Sequence, residues 1–326
     1  MKYTGMRILS GIKPTGRLHL GNYFGMMRPA IELQNQGEAY YFIADYHALT
    51  TLHNPEELRE YSQAIAVDFL ACGLDPSKTV FFRQSDVDEV AEMTWLLSIV
   101  TPMGLLERCH AYKDQLAKGK SPTHAVFAYP VLMAADILIY QSDKVPVGRD
   151  QKQHIEVARD IAMKFNNAFG EVFKIPEPLI QKEADIVPGI DGQKMSKSYG
   201  NTIELFEDEK TVRKKIMSIK TDSTPVEAPK NPDTCALLAL LKLVASPAET
   251  AEFIKRYKKG GIGYGEVKQR LAELTLEYFR PMRRKREELL SEPGKVDAIL
   301  AEGGKRARAE AQKTLSRAKK AVGLRA

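Results

Sequence analysis

Two short runs in this 326-residue chain could do chemistry on a phosphoanhydride. The first is His19-Leu-Gly-Asn22, inside a stretch with glycines at 11, 16, 21 and 25. Glycine lets backbone approach a ligand closely, and a helix over 20–33 would turn free N–H groups toward an anion. His19 stands at the start of that helix, and Asn22 could reach a ribose or phosphate oxygen. The second run, Lys194-Met-Ser-Lys-Ser198, follows Gly189 and Gly192 and gathers two ammonium groups and two hydroxyls in five residues. A pyrophosphate leaving group needs cations that arrive with the transition state, and a mobile loop carrying Lys194 and Lys197 can deliver them. Singly, each run also fits a plainer reading, a structural glycine turn or an exposed Lys/Ser loop.

Two further runs supply a pocket. Tyr129, Met133 and Asp136 are spaced four and three apart. If Pro130 opens a helix, they share one stripe: a ring, a soft apolar side chain and a carboxylate. That suits a flat aromatic ligand with one polar hydrogen to donate, or else a core stripe capped by a solvated Asp. In 145–156, Gly148 gives a turn whose N–H groups can face a ligand, with Asp150 and Gln151 at a helix start. This run equally reads as an ordinary N-capped helix. The common nucleotide signatures are missing. Gly119-Lys120-Ser121 lacks the earlier glycine of a P-loop, no Gly-x-Gly-x-x-Gly occurs, and no Pro-Cys-x-x-Cys follows His154-Ile-Glu156.

The elements that must hold these residues are legible as an alternation. Apolar runs at 7–10, 40–45 and 79–84 read as strands separated by helical patterns, which implies βαβ units and a parallel sheet. One helix is sharply marked: Asn54 as N-cap, Pro55 at its first position, and Glu57 completing a capping box. Leu58, Tyr61, Ile65, Phe69 and Cys72 form its apolar face, and Gly73 ends it. Residues 89–125 look like a helical insertion, and after about residue 204 only helical patterns remain. The expected fold is α/β: a Rossmann-like parallel-sheet catalytic domain over 1–190, then the lysine loop and an all-helical domain over 191–326. The last helix could pack back on the first domain.

Composition narrows the class. A hydrophobic fraction of 44% and a charged fraction of 28% are those of a globular chain. No run of ~18 apolar residues occurs, so no membrane span is expected, and the N-terminus carries no secretory pattern. Cys72, Cys109 and Cys235 are odd in number and widely spaced, which argues against a disulfide framework or a zinc site and fits a reducing cytoplasm. The net charge of +6 resides wholly in 301–326, where eight basic residues face two acidic ones. With Arg283-Arg284-Lys285-Arg286 just upstream, this end reads as a nucleic-acid face or as a solvated helix surface.

In this order, the four runs resemble the class I aminoacyl-tRNA synthetases, and among them the tryptophan-specific enzymes of bacteria. His19-Leu-Gly-Asn22 is similar to the family's His-Ile-Gly-His element, and 194–198 matches its lysine loop without change. The stretches 129–140 and 147–154 resemble its amino-acid pocket and adenylate segments. The resemblance is dense to residue 205 and diffuse beyond.

It implies that Asp136 accepts the indole N–H, that Tyr129, Met133, Val145 and Val147 line the ring, and that His47, Gln151 and the pocket-edge residue Leu9 lie nearby. It places Lys13, Pro14, Thr15, Gly21, Asn22, Gly148, Arg149, Asp150 and Ile186 around ATP, with Lys194, Met195, Ser196, Lys197 and Ser198 of the loop. His19, Lys194 and Lys197 would be the catalytic groups. Lys13 stands where many relatives have Gln, Arg149 where many have Glu, and Leu9 where Phe is frequent. The implied partners are ATP, L-tryptophan, a cognate tRNA and a second copy in a homodimer joined through 89–125. Mg²⁺ would ride on the phosphates with no protein cage of its own. A tyrosine-activating sibling would need a Tyr near the first strand, where Leu9 stands. A non-catalytic RNA-binding relative would be expected to lose His19 or the loop lysines, and all are here.

Overall fold

Five parallel strands lie in the order β3-β2-β1-β4-β5: β1 (Arg7–Ile12), β2 (Glu38–Ile43), β3 (Thr79–Arg83), β4 (Lys144–Val147) and β5 (Glu177–Ile180). The computed structural model describes residues 5–148, 152–180 and 187–325. β1 pairs with β2 from Arg7↔Glu38 to Ile12↔Ile43 on one side and with β4 at Ile8↔Lys144 on the other. The chain therefore runs outward from β1 through β2 to β3 and returns to β1's other edge. The carboxyl ends of β1 and β4 diverge at this reversal, which is where open α/β sheets bind ligands. Both faces of the central strands are covered, so β2 and β3 bury Ala39 to Ile43 and Thr79 to Phe82 almost without alternation.

Local chemistry sets most boundaries. β3 stops at Arg83 because Gln84–Asp86 turn into a 3₁₀ helix, and β2 stops at Ile43 because Asp45 opens α3 (Asp45–Ala48). The helix expected over 20–33 is interrupted. It comprises α1 (Leu20–Asn22), a π-turn (Tyr23–Met27) and α2 (Arg28–Leu33). Pro29 lacks the N–H that would bond to the Gly25 carbonyl, and Arg28 N–H reaches back to Tyr23 instead, which widens the turn. α4 (Pro55–Ala71) starts at Asn54 and is followed by Gly73 at φ +105°. Asn54 Oδ1 accepts from Glu56 and Glu57 N–H, at 2.9 and 3.3 Å, while Glu57 Oε1 accepts from Asn54 Nδ2 at 3.5 Å and not from the Asn54 backbone N–H that the expected box would use.

Then come α5 (Glu89–Ser98), α6 (Met103–Glu107), α7 (His110–Ala117) and α8 (His124–Ile139). Pro130 does not open α8. Thr123 Oγ1 caps the helix by accepting from Val126 N–H, which starts it earlier and leaves Pro130 in its second turn. The stripe survives, since 129, 133 and 136 keep helical spacing. α9 (Lys152–Phe169) leads to β5.

Beyond the sheet lie α10 (Glu209–Met217), α11 (Ala236–Val244), α12 (Pro247–Lys259), α13 (Tyr264–Ser291) and α14 (Lys295–Ala321). α10 to α13 share one apolar core with the other segments: Leu241, Tyr257 and Leu271 belong to the cluster that holds Phe24, Met27 and Phe69. No helix among the described residues is long and apolar enough to cross a membrane.

α14 returns to the sheet and lies across β3 and α5. Gly303 permits this, because a Cβ there would stand 1.8 Å from the Phe81 carbonyl oxygen; at Gly304 it would meet the Asp86 side chain at 2.9 Å. The guanidinium of Arg306 spans the same seam to the Pro76 and Thr79 carbonyls. Gly303→Ala must push helix from strand, so urea unfolding of this variant is expected to show a stability loss of about 3 kcal/mol. An unchanged midpoint would mean that α14 is not seated on β3 in solution.

Candidate active site

At the carboxyl ends of β1 and β4 lies a cavity of about 490 Å³. β1 supplies Leu9 and Gly11, β4 supplies Val145 and Val147, and α8 supplies Tyr129, Met133 and Asp136. His47, Lys13, Gly148 and His154 also line it. Gly11 must be glycine, because a Cβ there would sit 2.5 Å from the Phe42 ring that also faces this space. Every pocket residue expected from the sequence within the described chain thus lines one cavity. Arg149, Asp150, Gln151 and Ile186 lie outside the described residues.

The floor of the cavity is a buried carboxylate. Asp136 is 2% exposed, a costly position for a charge unless it is hydrogen-bonded. Gln84 Nε2 donates to both of its oxygens at 2.8 and 2.9 Å, and His47 Nε2 meets Oδ2 at 2.8 Å. Burial raises the carboxyl pKa above its ordinary value, and the bonds from His47 and Gln84 oppose that rise. Gln84 is held in turn as the acceptor from His47 N–H, while Asp45 Oδ1 accepts from Ser85 N–H at 3.0 Å and fixes the turn that carries Gln84. Gln84 is a candidate site residue the motifs missed. Its only signal was a polar side chain directly after a buried strand run, at the strand's carboxyl end.

On the side wall, the Tyr129 hydroxyl lies 3.0 Å from His154 Nε2, and its ring meets His47 edge-on. Burial lifts this phenol's pKa to about 12, so it stays protonated at neutral pH. Lys13 Nζ donates to Thr50 Oγ1 at 2.9 Å, which ties it to the His47 turn, and burial lowers its pKa. Lys13 is thereby a resident of the cavity rim.

His19 caps α1 reciprocally. Its Nδ1 accepts from Asn22 N–H at 3.3 Å, and its own N–H donates to Asn22 Oδ1 at 3.2 Å. Nδ1 is therefore unprotonated and the neutral ring carries its proton on Nε2, a donor suited to a phosphate oxygen. Burial, and then the positive charge of Lys197, lower the His19 pKa to about 4. At neutral pH the ring is an uncharged donor.

The lysine loop sits against this turn. Met195 is buried, and its sulfur accepts from Gly21 N–H at 3.4 Å. A Cβ at Gly21 would crowd both the His19 ring and Met195. Lys197 Nζ donates to the Thr15 carbonyl at 3.2 Å, and partial desolvation lowers its pKa. Lys194, Ser198 and Thr15 are exposed, Ser196 is half-buried and Pro14 is buried. The loop is organised by Asn201, a second residue the motifs missed. Asn201 is 1% exposed; its Oδ1 accepts from Ser196 N–H at 2.8 Å and its Nδ2 donates to Asp191 and the Lys194 carbonyl. A Cβ at Gly189 would overlap it at 2.4 Å. Nothing local in the sequence signals this role.

The basic C-terminal end is less free than its composition suggests. Arg283 bonds backbone carbonyls at 205 and 207, and Arg286 pairs with Asp68. Arg308 pairs with Asp88 and Glu89, Lys319 with Glu92, and Lys313 with Glu310. Much of this charge ties helices to the sheet. Among the described residues Arg284, Arg317 and Lys320 make no ion pair.

Known proteins match this chain over nearly its full length. A family model for class I tRNA synthetases (W and Y) matches residues 1–280. A protein of Rhodopirellula baltica named tryptophan–tRNA ligase is 56% identical over 320 residues, covering 98% of this chain and all of its own. One of the same name from Fusobacterium nucleatum is 53% identical, covering 98% of each. A solved tryptophanyl-tRNA synthetase from Campylobacter jejuni, complexed with ADP and tryptophan, superposes with a TM-score of 0.92 at 48% identity, covering 98% of this chain and 100% of its own.

The depressed His19 pKa fixes a pH dependence. Between its ordinary value of 6.5 and about 4, the unfolded chain binds a proton there that the folded chain refuses. Stability is therefore present above that window and lost as pH falls through it, by up to about 3 kcal/mol. His19→Asn keeps a capping oxygen but does not titrate. Urea unfolding at pH 4 and pH 7 is expected to show a larger acid loss for wild type than for this variant; equal losses would contradict the assignment.

Proposed function

The chain belongs to the class I tRNA synthetases of the tryptophan and tyrosine branch, and we infer from this family and from the buried Asp136 that it is a tryptophan–tRNA ligase. The carrying observation is a carboxylate withdrawn from water, held by Gln84 and His47, at the floor of an otherwise largely apolar cavity. Such a group demands a donor from a flat apolar ligand, and the indole N–H is that donor. Leu9, Met133, Val145 and Val147 offer the ring no other polar partner. Tyrosine sites of this family usually carry a Tyr near the first strand to engage the phenol, and Leu9 stands there instead.

In the first step, a tryptophan carboxylate oxygen attacks the α-phosphorus of ATP. The bond to the bridging oxygen breaks, and pyrophosphate leaves with that electron pair. Positioning and electrostatics carry the step, and no nucleophilic side chain is needed. His19 Nε2–H faces the phosphates, and Lys194 and Lys197 stabilise charge as it migrates to the leaving group. The adenosine 2′-OH at the tRNA 3′ end then attacks the tryptophanyl carbonyl, and AMP leaves.

Mg²⁺ belongs to this proposal as the companion of ATP. The His19 turn and loop present an imidazole N–H, ammonium groups and hydroxyls, with the Glu204 and Asp191 carboxylates engaged by Arg17 and Asn201, and no cluster of three or more His, Cys, Asp or Glu among the described residues could hold a metal. The ion would be held by phosphate oxygens and water, where it neutralises phosphate charge. The tRNA face is proposed on the unpaired Arg284, Arg317 and Lys320, a narrower set than the whole basic end. A cytoplasmic setting is part of the same reading, supported by three free thiols.

A homodimer is proposed through α5 and α6. Trp95, the chain's only Trp, is 71% exposed, with Met103 at 64% and Ile99 at 52% on the same stretch. Apolar groups clustered at this exposure mark an interface. Trp95→Glu combined with Ile99→Glu is expected to convert a dimer to a monomer in sedimentation equilibrium; a monomeric wild type would remove the interface.

Amino-acid-dependent ATP–pyrophosphate exchange tests the function. Exchange is expected with tryptophan and not with the other nineteen amino acids. Asp136→Ala should raise the tryptophan KM by roughly 10- to 100-fold, the worth of a buried charged hydrogen bond, and Gln84→Leu should follow in the same direction. The KM for ATP should hold in both. An unchanged tryptophan KM in Asp136→Ala would remove this carboxylate from the pocket.

A further inference from the structure

The segment 201–207 is bonded to three parts of the molecule at once. At its start Asn201 grips the lysine loop through Ser196 N–H and the Lys194 carbonyl. In its middle, the Ile203 carbonyl accepts from Leu20 N–H at 2.9 Å and Leu205 N–H donates to the Leu18 carbonyl at 3.0 Å, so it is fastened on both sides of His19. At its end, Arg283 of α13 donates Nη2–H to the Leu205 carbonyl at 3.1 Å and Nη1–H to the Glu207 carbonyl at 2.6 Å. Leu205 thus bonds the His19 turn through its N–H and Arg283 through its carbonyl.

α13 also reaches the His19 helix by a separate route. Tyr278 and Phe279 pack on Tyr23 and Phe24 of the π-turn, with the Tyr23 and Phe279 centroids 5.0 Å apart at 70°. Packing and a 3.3 Å hydrogen bond between the Tyr23 and Tyr278 hydroxyls therefore join the two helices, and one turn beyond Arg283 an ion pair ties Arg286 to Asp68 of α4. Arg283 is half-buried, and its Nε–H has no partner. An unmet buried N–H opposes folding. The guanidinium is thus an expensive clamp, and both of its bonds go to the stretch that links the loop to the His19 turn.

We propose that Arg283 is a positioning residue for adenylate formation. It holds 201–207 in place, and through Asn201 and the Leu18 and Leu20 bonds it sets Lys194 and Lys197 against His19. It touches no substrate. Losing it should let the loop drift relative to the phosphates while the tryptophan cavity, built on β1, β4 and α8, stays intact.

This inference rests on the adenylate-forming reading above. The test is tryptophan-dependent pyrophosphate exchange on the full chain, with separate KM values for ATP and tryptophan, alongside thermal unfolding. Arg283→Met keeps the aliphatic stem and removes both donors. It is expected to lower kcat about tenfold, the scale of a misplaced transition-state contact, with the tryptophan KM within about twofold of wild type. Arg283→Lys, which can reach one carbonyl, should recover part of that loss. Arg270→Met, on the same helix but paired only with Glu249 and Glu273, should leave kcat and both KM values unchanged. If Arg283→Met matches wild type in kcat, the proposal is wrong. It is equally wrong if the tryptophan KM rises as much as kcat falls, or if Arg283→Lys recovers nothing while unfolding temperatures drop in step, since those mark a general structural role. A wild-type chain with no tryptophan-dependent exchange would overturn the functional reading itself, before any variant is compared.

Discussion

A carboxylate buried to 2% exposure is tolerated only where its lone pairs are met, and the site depends on how Asp136 meets that condition. Gln84 and His47 hold the group from the protein side and leave it facing a cavity walled by Leu9, Met133, Val145 and Val147. To bring these together the fold must reverse its strand order at β1 and β4, place α8 over the gap, and stop β3 at Gln84. In the proposed reading, recognition of the ring is therefore written into the sheet. In the same reading the phosphate chemistry falls to the His19 turn and the lysine loop, whose Leu18, Leu20 and Met195 share a core with Tyr41 and Ile43 of the sheet.

That division has a physical rationale. A pocket that discriminates by one hydrogen bond and ring shape must not shift, whereas cations needed late in the reaction act best when they can move in. Met195 under Gly21, Lys197 on the Thr15 carbonyl and Asn201 under the loop show the lysine loop docked against the His19 turn. The pKa of His19 is held down by burial and by Lys197, so the same proximity that brings in a cation keeps the imidazole neutral. Helices α10 to α13 share the core beneath α1 and α2, and movement of that unit would be felt at His19 through Tyr23 and Phe24.

What was legible in the sequence was whatever depends on neighbours in the chain. Asn54 and Gly73 bracket α4, the 129, 133, 136 spacing survives on one helix, and the three early strands fall within a few residues of their places. The position of Pro130 misled because Thr123, a better cap, lies seven residues upstream. The π-turn follows from Pro29, whose missing N–H matters only once the surrounding helix is known. Gln84 and Asn201 were invisible for a different reason. Gln84 acts on a carboxylate 52 positions away, and Asn201 acts through a loop that must first be folded. The basic end shows the same limit: counting charges finds cations, but not that Arg283, Arg286, Arg306 and Arg308 face carbonyls and carboxylates of other elements.

The central claim is that Asp136 reads the indole N–H. It is tested most directly by calorimetric binding of tryptophan and of its sulfur isostere, which has the same ring shape but no N–H, to wild type and to Asp136→Leu. Wild type should prefer tryptophan by at least about tenfold, the worth of a hydrogen bond to a charged acceptor, and the preference should vanish in the variant. The same ratio in both proteins would contradict the account, because the N–H would then be read elsewhere or not at all.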